Sequence, residues 1–346
     1  MRVKFNMSMT NGRANGVEIY SIKLRDEILR IEKDLKKDFW YIKRTKLLAL
    51  YRIFWNFFIL PFKAKKNLVY SFSTHGSPFV KNQIVTIHDL ICFAYPKQHL
   101  FQYYYFKYLV PMILSSCKKV VVISEFTKRD VLAHYKIEED KIEVIYNGCN
   151  FLEYNECEKD EIEFRKITQG KTFFLTVGAS YHHKNIERLL KAIKENEETD
   201  ALFVIVAKKN KYGSMLVDLS DRLNLKNVVF IHSISQNLLA KLYQKCLCNI
   251  YISLYEGFGF PPLEAASLGT VSLVSDIPVM REVLGDSAIF VNPQSEKDIA
   301  EKIKEIYENF VSLEEIKKSF PSLLSKFSWN KSASQIIDLI KTEILK

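Results

Sequence analysis

Along the chain, short runs of β-branched and apolar residues alternate with longer amphipathic stretches. The runs are QIVTIHD (83–89), KVVVIS (119–124), KIEVIYNG (141–148), FFLTVG (173–178), LFVIVA (202–207), NVVFIH (227–232), NIYIS (249–253) and TVSLVS (270–275). Continuous apolar runs belong to strands buried on both faces, hence to parallel sheets with helices packed on each side. Most end in a polar residue or glycine, and open α/β sheets bind ligands beyond the carboxyl ends of their strands. The charged, weakly apolar segment CEKDEIEFRKITQGK (157–171) lies between two strand series and is read as the interdomain linker. It predicts an N-terminal Rossmann-like domain over 1–165 and a second over 166–328, with a cleft between them. The tail WNKSASQIIDLIKTEILK (329–346) spaces Ile336, Ile337, Leu339, Ile340 and Ile344 as the apolar stripe of a terminal helix.

A length of 346 residues agrees with two domains. Charge separates them. Residues 1–150 carry 25 lysines and arginines against 13 acids, +12, whereas 151–346 carry 25 against 27, −2. An anionic partner of the first half is implied, nucleic acid or an anionic membrane surface. In residues 36–66 the cations, among them Lys36, Lys37, Lys43 and Arg44, interleave with aromatics that include Trp40 and Trp55. That mixture describes an interfacial membrane helix; aromatics packed inward describe an ordinary amphipathic helix, and both readings stand here. The cluster FQYYYFKYLVPM (101–112) has only Lys107 and reads more as core. No zinc-finger, RNP-like or helix-turn-helix pattern accompanies the charge, so nucleic acid is not the expected partner.

The six cysteines are scattered and read as buried reduced thiols. Met1 leads into no signal-peptide pattern, and the longest apolar candidate, Ile53 to Phe62, is interrupted by Asn56 and is too short for a membrane span. The expected location is the cytoplasm, peripheral on the inner face of the cell membrane.

Only 11 glycines occur, and three of them fall between Gly257 and Gly269. The segment NIYISLYEGFGFPPLEAASLG (249–269) reads as a strand, a glycine loop, and a helix whose first turn holds Pro261, Pro262 and Glu264. Proline suits the first helical turn, whose N–H groups lack intrahelical partners. The backbone N–H groups of Gly257, Phe258 and Gly259 then lie near a helix N-terminus, a ready anion or hydroxyl site. Glu256 at the strand end and Glu264 eight residues later bring two carboxylates to one pocket.

The string EGFGFPPLEA within 249–286 resembles the donor-site motif of the retaining, GT-B-fold glycosyltransferases of the group 1 family. Other segments agree in order: TIHDL (86–90), VVVISEFTKRDV (120–131), IYNGCN (145–150), VGASYHHKNIERLLKAI (177–193) and FSWNKSA (327–333). The likeness covers about residues 84–333; residues 1–83 match loosely. It implies an α/β GT-B fold, two Rossmann-like parallel-sheet domains facing across a cleft, with the terminal helix 329–346 crossing back onto the N-terminal domain.

The resemblance also implies roles. Glu264 accepts hydrogen bonds from both ribose hydroxyls of a nucleotide, a charge-assisted bidentate contact; the plainer reading is a glutamate complementing the helix dipole. Glu256 binds hydroxyls of the transferred sugar or stabilises charge at its anomeric carbon. Lys184 neutralises the diphosphate leaving group, in a turn that includes Gly178 and His183. His183 stands where the family usually has arginine, so a permanent charge gives way to a titratable one. His88 touches sugar or acceptor, or is a buried, satisfied histidine. The loop 9–20, with Arg13 and Gly16, is assigned to the acceptor. No Asp-x-Asp pair occurs, so no metal and no other cofactor is expected.

The leading expectation is a metal-independent hexosyltransferase. It uses a nucleotide-diphosphate sugar, with SDIPVMREVLGD (275–286) pointing to GDP-mannose by resemblance, and a lipid-linked oligosaccharide acceptor in surface polysaccharide synthesis. The alternatives are a sugar-nucleotide epimerase-like GT-B enzyme and a non-catalytic basic protein that binds membrane or nucleic acid.

Overall fold

The computed structural model describes residues 2–10, 16–42, 47–149, 154–196, 199–309 and 311–345, with the side chains of 36 and 37 left aside. The chain divides into two compact units, Met1–Gly148 with Phe327–Lys346, and Cys149–Lys326.

The first unit is built on a six-stranded sheet of β1 (Val3–Asn6), β2 (Phe39–Trp40), β3 (Leu68–Ser71), β4 (Gln83–Ile87), β5 (Lys119–Val122) and β6 (Ile142–Val144). The spatial order is β2-β1-β3-β4-β5-β6, every pair parallel. All residues of β3 and β4 are buried, which is why QIVTI shows no alternation of apolar and charged positions, its Gln83 and Thr86 being buried as well. The chain leaves β1 to one side for β2 and returns to the other side for β3. The switch point therefore lies between β1 and β3.

The terminal helix Trp329–Leu345 packs on the helix Gly16–Ile31 of this unit. Its first residue crosses Gly148 so closely that a Cβ there would stand 2.3 Å from Trp329 N, and Ser332 Oγ donates to the Tyr146 carbonyl at 2.6 Å.

The second unit repeats the plan with β7 (Phe173–Ala179), β8 (Leu202–Ala207), β9 (Val228–Ile231), β10 (Cys248–Tyr251), β11 (Ser272–Ser275) and β12 (Ile289–Val291). Their order is β12-β11-β10-β7-β8-β9, again all parallel. Here the switch point lies between β7 and β10. All eight apolar runs of the sequence are strands; β1, β2, β3 and β12 are additional.

Two expectations are corrected. The segment expected to be a linker is largely the helix Glu158–Thr168, inside the second unit rather than ahead of it. Its Phe164 and Ile167 pack on the core of β7 and β8, and the passage between units falls at Gly148–Cys149. Five cysteines are buried, but Cys157, just before that helix, is exposed. Among the described residues no helix is long and apolar enough to cross a membrane.

Candidate functional site

In the second unit the strands flanking the switch point, β7 and β10, each end in a loop that carries a charged side chain. Gly178 stands near the end of β7 with φ +89°, where the register with β8 shifts, and the chain then makes a short turn over His182–Lys184. That turn is pinned to the loop after β10. Leu254 N donates to the His183 carbonyl at 2.7 Å, and Asn185 Nδ2 donates to the carbonyls of Ile252 (3.1 Å) and Pro293 (2.7 Å). Lys184 and Glu256 consequently meet. The lysine ammonium donates to Glu256 Oε1 and to Tyr251 Oη, the latter at 3.0 Å, and lies 5.0 Å from the Tyr251 ring centroid.

The electrostatics follow from burial and neighbours. Burial alone pushes the Glu256 carboxyl up, but Lys184 with His183 outweighs it and holds the group below the ordinary carboxylate range. Glu264 is the opposite case. Burial raises its pKa to about 7, only partly offset by the hydrogen bond that Tyr243 Oη donates to Oε2 at 3.4 Å. Tyr251 reports on both carboxylates: burial pushes its hydroxyl well up, Glu256 adds most of the rest, and Glu264 contributes further. One cation and two carboxylates of different protonation tendency thus share the carboxyl end of β10.

Other site residues fall around them. Gly259 caps the helix Phe260–Ser267 in the left-handed region, φ +110°, and a Cβ there would stand 2.6 Å from Met280 Cε. The Phe258 ring is buried and meets Phe260 at 5.4 Å, so it anchors the loop, leaving only the backbone of Gly257 and Phe258 to serve a ligand. Glu264 is not in the first helical turn, as expected, but in the second, because Phe-Pro-Pro occupies the start. His183 is buried and stacks on Tyr181 at 5.7 Å. Among the described residues no group of three or more His, Cys, Asp or Glu side chains is placed to hold a metal ion.

In the first unit His88 follows β4. Its Nε2–H donates to the Phe72 carbonyl at 2.8 Å, its ring meets Tyr20 edge-on at 4.6 Å, and burial lowers its pKa to about 4. The imidazole is therefore neutral, with Nδ1 as an acceptor. Gly16 is the exposed first residue of the helix Gly16–Ile31. Arg13, Lys43 and Arg44 lie outside the described residues, as do the side chains of Lys36 and Lys37.

Of the two tryptophans given a membrane-facing reading, Trp55 packs inward instead. Trp55 is 4% exposed and sits in a core cluster with Leu60 and Val69, while Trp40 packs half-buried against the same cluster. Sequence reasoning also missed a buried polar group at the β1–β3 switch point. Asn6 Nδ2 donates to Asn56 Oδ1 (2.8 Å), Ser71 Oγ (3.1 Å) and the His75 carbonyl (2.7 Å), and the buried Arg52 Nε donates to the Ser8 carbonyl (2.9 Å). Arg52 and Asn56 had looked like parts of a basic, aromatic helix; the repeated small polar residues at the ends of β1 and β3 were the available signal.

Comparison with known proteins agrees with this architecture. Residues 158–319 match the family of glycosyl transferases group 1, and residues 37–151 match glycosyltransferase family 4. The O-antigen chain mannosyltransferase RfbU of Salmonella typhimurium is 37% identical over 233 residues, which are 67% of this chain and 63% of that protein. The chain therefore spans less than two thirds of that relative's length. The O-antigen chain mannosyltransferase B of Escherichia coli is 24% identical over 281 residues, 77% of this chain and 73% of that protein. Among solved structures, Anabaena Alr3699/HepE in complex with UDP and glucose superposes with a TM-score of 0.75 at 15% identity, covering 99% of this chain and 100% of that one. Residues 158–319 thus belong to the glycosyl transferases group 1 family and residues 37–151 to glycosyltransferase family 4, and the chain is a glycosyltransferase of GT-B architecture.

Proposed function

We propose that the chain is a retaining mannosyltransferase that moves mannose from GDP-mannose to a lipid-linked glycan during surface polysaccharide assembly. The observation that carries the reading is the grouping of Lys184, Glu256 and Glu264 around the end of β10. It is supported by the names of the two similar mannosyltransferases. Glu264, ionised, accepts both ribose hydroxyls. Lys184 exchanges Glu256 for the diphosphate and neutralises the charge that grows as the sugar–phosphate bond breaks. Glu256, released, binds sugar hydroxyls and faces the positive anomeric carbon. The acceptor oxygen bonds to that carbon on the face the phosphate leaves, and the departing phosphate oxygen takes the acceptor proton. His88, Arg13 and Gly16 are assigned to sugar and acceptor. No metal is needed, because lysine and backbone amides supply the positive charge, and the enzyme works at the cytoplasmic face of the membrane.

The test is transfer to an organic extract of bacterial membranes from GDP-mannose, UDP-glucose or dTDP-rhamnose, with and without a chelator. Mannose transfer that resists the chelator and disappears in a folded Glu264→Ala variant supports the reading. Full transfer by that variant, or no nucleotide release from any donor, overturns it.

A further inference from the structure

Two helical rods of the first unit turn apolar side chains to solvent. Leu48 to Ala64 is one rod and Leu100 to Ser116 the other, and each contains a five-residue π turn, Trp55–Ile59 and Tyr105–Leu109. Each π turn is followed two residues on by proline, Pro61 and Pro111. Proline has no N–H to return to the preceding turn, and the wider turn accommodates the gap.

The π turns also align the surface. Leu50, Phe54, Phe58 and Phe62 follow one another at intervals of four, and so do Leu100, Tyr104, Tyr108 and Met112. On an ordinary helix of 3.6 residues per turn such a series drifts by about 40° per step. An i→i+5 turn takes up that excess, and the eight side chains are between 48% and 80% exposed. Both rods back onto one core, since Ile53 and Phe57 of the first pack on the cluster that holds Tyr105 and Phe106 of the second.

The surroundings are cationic. From Leu47 to Lys118 six lysines are exposed, Arg52 is buried, and the one acid, Asp89, is half-buried. Lys63, Lys65 and Lys66 are exposed at the end of the first rod; on the second, Lys107 Nζ lies 5.4 Å from the Tyr103 ring and 5.5 Å from that of Tyr108.

We propose that the two stripes form one docking surface for an anionic bilayer, with the phenylalanines at the acyl boundary and the lysines among the headgroups. Charge selects this occupant: a second copy would set two lysine-rich faces against each other. The inference rests on the proposed lipid-linked acceptor for its purpose, but its tryptophan-free surface differs from the one expected from sequence.

The experiment is co-sedimentation of the full chain with phosphatidylglycerol/phosphatidylcholine vesicles and with phosphatidylcholine alone. The proteins are wild type, Phe54→Ser/Phe58→Ser/Phe62→Ser, Leu100→Ser/Tyr104→Ser/Tyr108→Ser, and the single Phe62→Ser, with nucleotide binding and sedimentation velocity measured on each. The expected result is binding that needs phosphatidylglycerol and falls at least about tenfold in either triple variant, nucleotide binding unchanged. Should a triple variant misfold, Phe62→Ser gives the smaller loss in the same direction. Vesicle binding indifferent to these changes, or a vesicle-free dimer that they dissociate, overturns the surface. Vesicle binding by a protein that binds no nucleotide instead sinks the transferase reading and leaves the surface standing.

Discussion

Lys184 is shared between Tyr251, whose hydroxyl it reaches at 3.0 Å, and the carboxylate of Glu256. In the proposed reading a diphosphate competes with Glu256 for the same ammonium. Glu256→Gln should tighten nucleoside diphosphate binding severalfold while transfer falls by orders of magnitude. Lys184→Ala should lose about tenfold to a hundredfold in diphosphate affinity, the worth of one charge-assisted contact, and little for the nucleoside. Calorimetry with diphosphate and nucleoside decides, and weaker diphosphate binding in Glu256→Gln would assign the carboxylate to the nucleotide itself.

The same pair governs stability. Removing Lys184 leaves a buried carboxylate without its cation, a loss of about 3 kcal/mol. Because the pairing lowers the Glu256 pKa below the ordinary 4.5, its contribution is full above that value and is lost as pH falls through the folded pKa. The melting-temperature gap between wild type and Lys184→Ala should thus be wide at pH 8 and close as pH falls through the folded pKa, below 4.5. Adding Glu256→Gln should restore much of it at pH 8, and a gap independent of pH would show that packing, not charge, is what Lys184 supplies.

In the proposed reading Glu264 makes nucleotide recognition rise with pH, while its effect on stability runs in the opposite sense to that of Glu256. With a folded pKa of about 7, the carboxyl is largely protonated at pH 6 and offers one fewer acceptor to the ribose. Affinity for a nucleotide sugar, whose diphosphate does not titrate in this range, should rise from pH 6 to pH 8 and level off. In the ligand-free protein the raised pKa means that stability is lost as pH climbs from 4.5 towards 7, by up to about 3 kcal/mol. Glu264→Gln should bind weakly with a flat pH profile and melt higher than wild type at pH 8.

How much of this was legible depends on where a residue's neighbours come from. The eight apolar runs announced their strands because both faces are covered. The first strand, Val3–Asn6, did not, since Lys4 interrupts it and is held by an ion pair to Asp38, and Phe39–Trp40 is only two residues long. Glu256, Glu264 and Lys184 stood out through local strings. The aromatic segment 101–112 misled because a π turn breaks the helical period: Tyr105 and Phe106 are core, while Tyr104 and Tyr108 face outward. For His88, no local pattern separates a ligand from a satisfied core residue; its bond to the Phe72 carbonyl comes from 16 positions away.

Asn185 was invisible for the same reason, since the carbonyls it holds belong to Ile252 and Pro293. Its amide is fully used: Nδ2 donates to both, and Oδ1 accepts from Arg188 at 2.8 Å. It also adopts φ +63°, a left-handed conformation that asparagine tolerates better than most residues. Asn185→Ala should therefore cost about 2 to 4 kcal/mol, combining backbone strain with two buried carbonyls left unsatisfied. Asn185→Gly removes the strain and keeps the hydrogen-bond loss, so it should be about 1 kcal/mol milder. Asn185→Asp should be worse than glycine, because a carboxylate oxygen would confront a carbonyl. Since this side chain ties the Lys184 turn to the loop of Glu256, all three should lose affinity for diphosphate more than for nucleoside. Urea melts and calorimetry on the same samples separate the two effects, and a variant that loses stability yet keeps its preference for diphosphate would remove Asn185 from the positioning of Lys184.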